Sequence, residues 1–189
     1  MRIKCIPAVV AALLLFATSA RPGDFRADKE LSSIRFLAAY LIFTNIRGRF
    51  REFSGFWRIN AKTGVLEDLR GTVKTKSVDT NSKSRDKRLR AAEFFDAENS
   101  DRISFVMTKY VGDGTKGTLT VKVTIRGVTK EMKLAARLYE VEKNGRRRHG
   151  LTLSGTLDRF DFDVGKSYST AVIGRDVTVS LQLAGGAVE

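Results

Sequence analysis

The chain has 189 residues, of which 42% are apolar and 29% charged, and its 34 Lys and Arg against 21 Asp and Glu give a net charge of +13. This composition excludes an intrinsically disordered chain and suits one domain with a sizeable core. The only cysteine, Cys5, lies near the N-terminus, which excludes a disulfide scaffold and leaves the core alone to hold the fold.

Residues 1–20, MRIKCIPAVVAALLLFATSA, put Arg2 and Lys4 ahead of an apolar stretch from Ile6 to Ala17, followed by Thr18, Ser19 and Ala20. That is the layout of a secretory signal peptide. The stretch is short for a bilayer span, and no later segment approaches the roughly 20 apolar residues that spanning needs. The expectation is a signal peptide over 1–20 and a single soluble domain over 21–189, periplasmic or secreted. Without Arg2 and Lys4 the charge is +11. A surface this basic is either simply solvated or drawn to anionic lipid headgroups, lipopolysaccharide or nucleic acid.

From Phe25 onward the apolar residues recur mostly with period two, the mark of strands with one buried face. In chain order the predicted strands run from Ile34 to Ile42, Gly48 to Ile59 and Leu69 to Val78, then from Ile103 to Tyr110. Four more follow: Leu119, Val121, Val123 and Ile125; Met132, Leu134, Ala136 and Leu138; Leu151, Leu153, Gly155 and Leu157; Val177, Val179, Leu181 and Leu183. Gly112-Asp113-Gly114, Arg126-Gly127 and Asn144-Gly145 punctuate them as hairpin connections. The exception to period two is VDTNSKSRDKRLRAAEFFDAE, residues 78–98. There Ser84 suits an N-cap, Asp86 the first turn, and Leu89, Ala92 and Phe95 one apolar face, with Arg85, Lys87, Arg88 and Arg90 pointing elsewhere. An antiparallel all-β sandwich or barrel of about eight strands is predicted, with this short helix placed to cover a barrel mouth. Eight strands close around an interior that is either filled by side chains or wide enough for one small ligand, and an interior of Phe, Leu and Val accepts only an apolar one.

Catalytic chemistry finds few residues to use. His149, the only histidine, follows three arginines in Asn144-Gly145-Arg146-Arg147-Arg148-His149-Gly150, which reads as a turn. Neighbouring cations disfavour its protonated form and no carboxylate stands beside it in sequence. No Ser-His-Asp arrangement can be assembled elsewhere, and no cluster has metal-ligand spacing. Asp158, Asp161 and Asp163 read as a turn whose side chains bond the backbone rather than as a carboxylate pair. Twelve Phe with a basic surface are also what single-strand nucleic-acid binders use, but the rings fit a buried face as well, and secretion removes the usual substrate.

Several short motifs, in order, carry a resemblance. Ser77-Val78-Asp79-Thr80-Asn81, Arg85-Asp86, Leu89-Arg90, Phe94-Phe95-Asp96 and Ile103-Ser104-Phe105 resemble the S-I-D-T-x, R-D-x-x-L, D-F-F-D and I-x-F pattern of the YceI-like family. Arg47-Gly48-Arg49-Phe50, Phe53-Ser54-Gly55, the run Thr124 to Lys130, Arg159 with Asp161-Phe162, and Asp176 to Val179 extend the match from about Phe25 to Leu183. The chain departs from the pattern at Leu31 and Tyr40, where the family often has His, at Asp163, where it commonly has Gly, and at Glu93, where Asp is usual.

The resemblance implies an extended, lipocalin-like antiparallel barrel of eight strands with one or two short helices, holding a polyisoprenoid or prenylated quinone in an apolar tunnel. It implies binding, carriage or storage of that lipid, with no enzymatic activity and no cofactor. On this reading Ile34, Phe36, Phe50, Leu89, Phe94, Phe95, Phe105, Val123, Leu134, Leu153, Phe162, Val179 and Leu181 line the tunnel. Leu89, Phe94 and Phe95 close one end, and the basic turn beside them approaches anionic headgroups. Plain core packing accounts for each inward residue equally well. The alternative is a side-chain-filled barrel whose basic surface binds anionic headgroups or other polyanions. A homodimer stays open.

Overall fold

A computed structural model describes residues 23–188 apart from 42 and 144, so the expected signal peptide lies outside the described residues. The β segments are β1 (Asp24–Arg26), β2 (Ser33–Tyr40), β3 (Thr44–Phe50), β4 (Phe53–Ile59), β5 (Leu66–Lys74), β6 (Val78–Asp79), β7 (Arg102–Gly112), β8 (Lys116–Ile125), β9 (Val128–Lys143), β10 (Arg146–Asp158) and β11 (Ile173–Gly185). The helix is α1 (Lys83–Arg90), and 3-10 turns occupy Thr75–Ser77 and Arg159–Phe162.

Every pairing is antiparallel, and the segments form one sheet in the order β1-β4-β5-β7-β8-β9-β10-β11-β2-β3-β6. The sheet closes on itself through β11, which meets both halves of the first hairpin strand. Phe25 of β1 bridges Ala187 just beyond β11, while β2 pairs with β11 from Ser33 to Tyr40. The register shows why eleven segments amount to the eight strands expected. Asp24 faces Arg58 and Tyr40 faces Thr44, so β1 with β2 and β4 with β3 form a single bent hairpin. Likewise Phe53 faces Val73 and Phe50 faces Val78, so β5 and β6 are one strand broken by the turn at Thr75–Ser77. The breaks fall opposite one another, where Lys74 N–H donates to the Glu52 carbonyl and Arg51 N–H to that of Ser77. Three adjacent strands therefore bend along one line and the wall curls over.

Two of the expected hairpin connections show their chemistry directly. Arg126 and Gly127 join β8 to β9 with φ of 52° and 77°, both positive as a two-residue I′ turn demands. In the β7–β8 turn Asp113 Oδ1 accepts from the Thr115 hydroxyl and from the Thr115 and Lys116 N–H groups. Those bonds, the hydroxyl's first, hold the Asp113 pKa at about 2. His149 is a correction. The turn at Gly145 is tight enough for β10 to start at Arg146, so His149 is a strand residue with its ring 4.4 Å from that of Phe25.

Aromatic rings lie over glycines on neighbouring strands: Phe36 faces Gly48, and Phe105 faces Gly71. A Cβ on Gly48 would stand 2.1 Å from the tip of the Phe36 ring, a side chain that borders open space inside the barrel. On Gly71 it would meet the Phe105 ring at 2.3 Å and also the Ser54 carbonyl at 2.6 Å, which is backbone and cannot yield. Gly71→Ala is therefore expected to destabilise more than Gly48→Ala, both within about 1–3 kcal/mol. Urea unfolding of the two variants checks the order.

Candidate functional site

The interior is solid at one end and hollow at the other. Trp57, Leu69, Leu119, Leu151, Leu153 and Leu183 are fully buried and fill the end that β1 closes. Toward the opposite end the inward positions carry smaller side chains, with Val73, Val121, Val123, Val177, Val179 and Ala38 facing one another across the barrel. Side chains of that size do not meet, and a cavity of about 160 Å3 remains. An apolar space this large stays dry, because water would find no polar partners.

The mouth is covered by α1 and the turns after it. Ser82, not Ser84, holds the N-cap position, and its hydroxyl makes no capping bond to the helix backbone. Asp86 lies in the first turn as expected, but it is also buried, and its carboxylate accepts from Thr80 N–H at 2.8 Å and Thr80 Oγ1 at 2.6 Å. Arg85 donates to the same Thr80 hydroxyl and carbonyl. The helix is thereby tied to β6 with Leu89 on the cavity. It ends at Arg90, so Ala92 is exposed outside it, and the expected apolar face is carried by Leu89, Phe94 and Phe95 alone. Phe95 meets the Phe50 ring edge-on at 5.6 Å, and Phe94 meets Tyr168 at 5.3 Å. Arg126 clasps the cover by donating to the carbonyls of Phe94 and Asp163.

Arg159 stands on the cavity wall and is 2% exposed. Its five N–H groups reach the carbonyls of Val164, Gly165, Tyr168, Ile173 and Gly174, and its guanidinium lies 4.1 Å from the Phe160 ring centre. Burial lowers its pKa, with Arg175 adding to the effect and Asp158 opposing it. With every donor occupied it offers a ligand no polar contact. It shapes the 163–172 loop that forms part of the rim.

A second chamber of about 270 Å3 adjoins the first, sharing Phe36, Ala38, Leu89, Phe94 and Ile173 and adding Tyr40, Ser84, Arg85, Arg88 and Tyr168. The hydrocarbon cavity thus leads into a vestibule with hydroxyls and two arginines, and the two chambers together fall within the roughly 300–1,000 Å3 of ordinary ligand pockets.

Of the thirteen side chains expected on the tunnel, eleven line the cavity: Ile34, Phe36, Phe50, Leu89, Phe94, Phe95, Phe105, Val123, Leu134, Val179 and Leu181. Leu153 and Phe162 do not. Leu153 is locked in the solid end, and Phe162 is buried in the core beneath the 3-10 turn. Arg159, Val164 and Ile173 line the cavity without being among those thirteen; they sit in or beside a loop that has no period-two signal. Asp158 accepts from Phe160 N–H as a turn residue does, and Asp163 takes a φ of 55°, a conformation natural to glycine. Among the described residues no three His, Cys, Asp or Glu converge as metal ligands.

A model of the YceI-like domain matches residues 25–184. Over 176 residues the chain is 30% identical to Protein YceI of Escherichia coli O157:H7, covering 91% of this chain and 92% of that one. The crystal structure of the Campylobacter jejuni YCEI protein superposes with a TM-score of 0.74 at 29% identity, over 80% of this chain and 90% of the other. A polyisoprenoid binding domain from Saccharophagus degradans, implicated in plant cell wall breakdown, has the same fold at a TM-score of 0.62 and 15% identity, over 87% of this chain and 98% of its own.

Proposed function

The chain belongs to the YceI-like family, and on that footing we propose that it holds the hydrocarbon tail of a long apolar lipid, of polyisoprenoid or prenylated-quinone type, in the hollow end of its barrel. The reading is of a carrier or store acting outside the cytoplasm, with no catalytic step. The observation that carries it is the apolar cavity under Leu89, Phe94 and Phe95, whose one buried cation, Arg159, is already saturated by carbonyls. Each CH2 that moves from water into such a space contributes roughly 0.8 kcal/mol, so a long chain gains affinity without a polar anchor. The vestibule then receives the headgroup. A relative of the same fold named for polyisoprenoid binding supports the cargo class, and the leader-like residues 1–20 support the location.

Native mass spectrometry with organic extraction, on protein purified without detergent, tests this. An adduct that resolves to a prenyl chain or quinone is the expected result. A clean unliganded mass, in protein that also fails to take up added polyprenol, would sink the proposal and return attention to the basic surface.

A further inference from the structure

The β2–β3 hairpin carries the largest apolar exposure on the molecule among the described residues. Phe43 is 94% exposed and Leu41 51%. Behind them on the outer face of β2, Leu37 is half-buried and Ala39 exposed, so an apolar streak runs along the strand to the hairpin's end. An apolar streak left open at a loop tip marks a surface that meets something other than water.

Two placements say what it meets. The hairpin forms part of the barrel's mouth: Tyr40 lines the vestibule, and Leu41 N–H donates at 2.9 Å to the carbonyl of Val172, another vestibule residue. Leu41 is held there at a φ of 51°, a conformation that bulky residues seldom take. Cations belong to the same rim. Arg47, opposite Leu37 on β3, and Arg88, on the vestibule wall, are exposed and have no acidic partner among the described residues.

We propose that this rim docks on an anionic lipid bilayer, with Leu41 and Phe43 entering the boundary between headgroups and acyl chains while Arg47 and Arg88 meet the headgroup phosphates. Apolar side chains at the interface combined with cations at the headgroup level are what peripheral membrane attachment requires. The purpose of the contact rests on the carrier reading, since it brings the mouth against the phase from which an apolar chain would enter. The contact itself does not depend on cargo.

The test uses phosphatidylcholine vesicles with and without phosphatidylglycerol. The full mature chain is expected to co-sediment with the anionic vesicles and less so as salt rises. Leu41→Ser with Phe43→Ser should weaken that binding at least tenfold, as should Arg47→Glu. Phe43→Trp should show blue-shifted emission on the anionic vesicles and quenching by brominated acyl chains. Vesicle binding that ignores the serine pair overturns the proposal, as does an unchanged Trp signal. Salt-sensitive retention on heparin without vesicle binding overturns it too, in favour of a soluble polyanion. Native mass spectra of the serine variant separate the two readings: cargo retained while docking is lost leaves the carrier standing, and docking by a wild-type protein that never carries lipid leaves only the membrane contact.

Discussion

Arg159→Met is expected to lower the stability of the protein by about 3–5 kcal/mol, the combined cost of a few buried carbonyls left without a donor. The guanidinium is the common centre of five carbonyls, from Val164 to Gly174. Methionine fills a similar volume and donates nothing. The loop must then either leave its carbonyls unsatisfied, at about 1–3 kcal/mol for each buried group, or peel away to water and open the barrel's rim. Arg159→Lys is expected to recover only part of the loss, because an ammonium has three donors on a point charge where five in a planar fork are used. Since domains are stable by about 5–15 kcal/mol in all, urea unfolding will register this as a major shift. Equal midpoints for wild type and Arg159→Met would show that the loop holds its shape without the fork.

The importance of Arg159 is hidden in the sequence, and the reason is physical. Asp158-Arg159-Phe160-Asp161 looks like a polar turn, and nothing in residue type distinguishes an arginine that points to water from one that gathers backbone carbonyls from residues up to 15 positions further along. Period two, by contrast, is a local property that survives folding, which is why β7 to β11 can be read directly and why the alternation yields eight strands. The bends that divide β1 from β2, β3 from β4 and β5 from β6 leave no mark in that alternation, because they come from strands curling together. The helix is legible but its cap is not: Ser82 and Ser84 are equivalent in sequence, and the Asp86–Thr80 contact that positions α1 is tertiary.

The hollow end is legible only as an inward face. Leu151, Leu153 and Leu157 alternate along one strand with nothing to tell them apart, yet the first two are fully buried in the solid end and the third lines the cavity. What differs is the company across the barrel, with Trp57 and Leu69 at one level and valines at the other. Such matching depends on register between strands far apart in the chain, and alternation alone cannot supply it.

That difference between the two ends sets up the second large effect. Val121→Phe with Val123→Phe is expected to reduce the amount of co-purifying or added polyprenyl lipid at least tenfold, at a stability cost of about 1–3 kcal/mol or less. Both valines lie on the inner face of β8 and line the cavity, so two rings added there occupy the space proposed for the lipid tail. Overpacking is costly where a core is full, but here the new atoms enter space that is already empty and gain contacts with Phe105 and Leu134 in place of the ligand. Leu153→Ala is the counterpart at the solid end. It should destabilise by about 2–5 kcal/mol through the void it leaves, while lipid retention measured below its unfolding temperature stays near wild type. The pair makes opposite demands on one molecule: stability kept and cargo lost at the hollow end, cargo kept and stability lost at the solid end. If the double Phe variant still carries lipid as wild type does, the cargo does not occupy this cavity. If Leu153→Ala sheds lipid while fully folded, the tail must reach past the valines into the end that Trp57 fills.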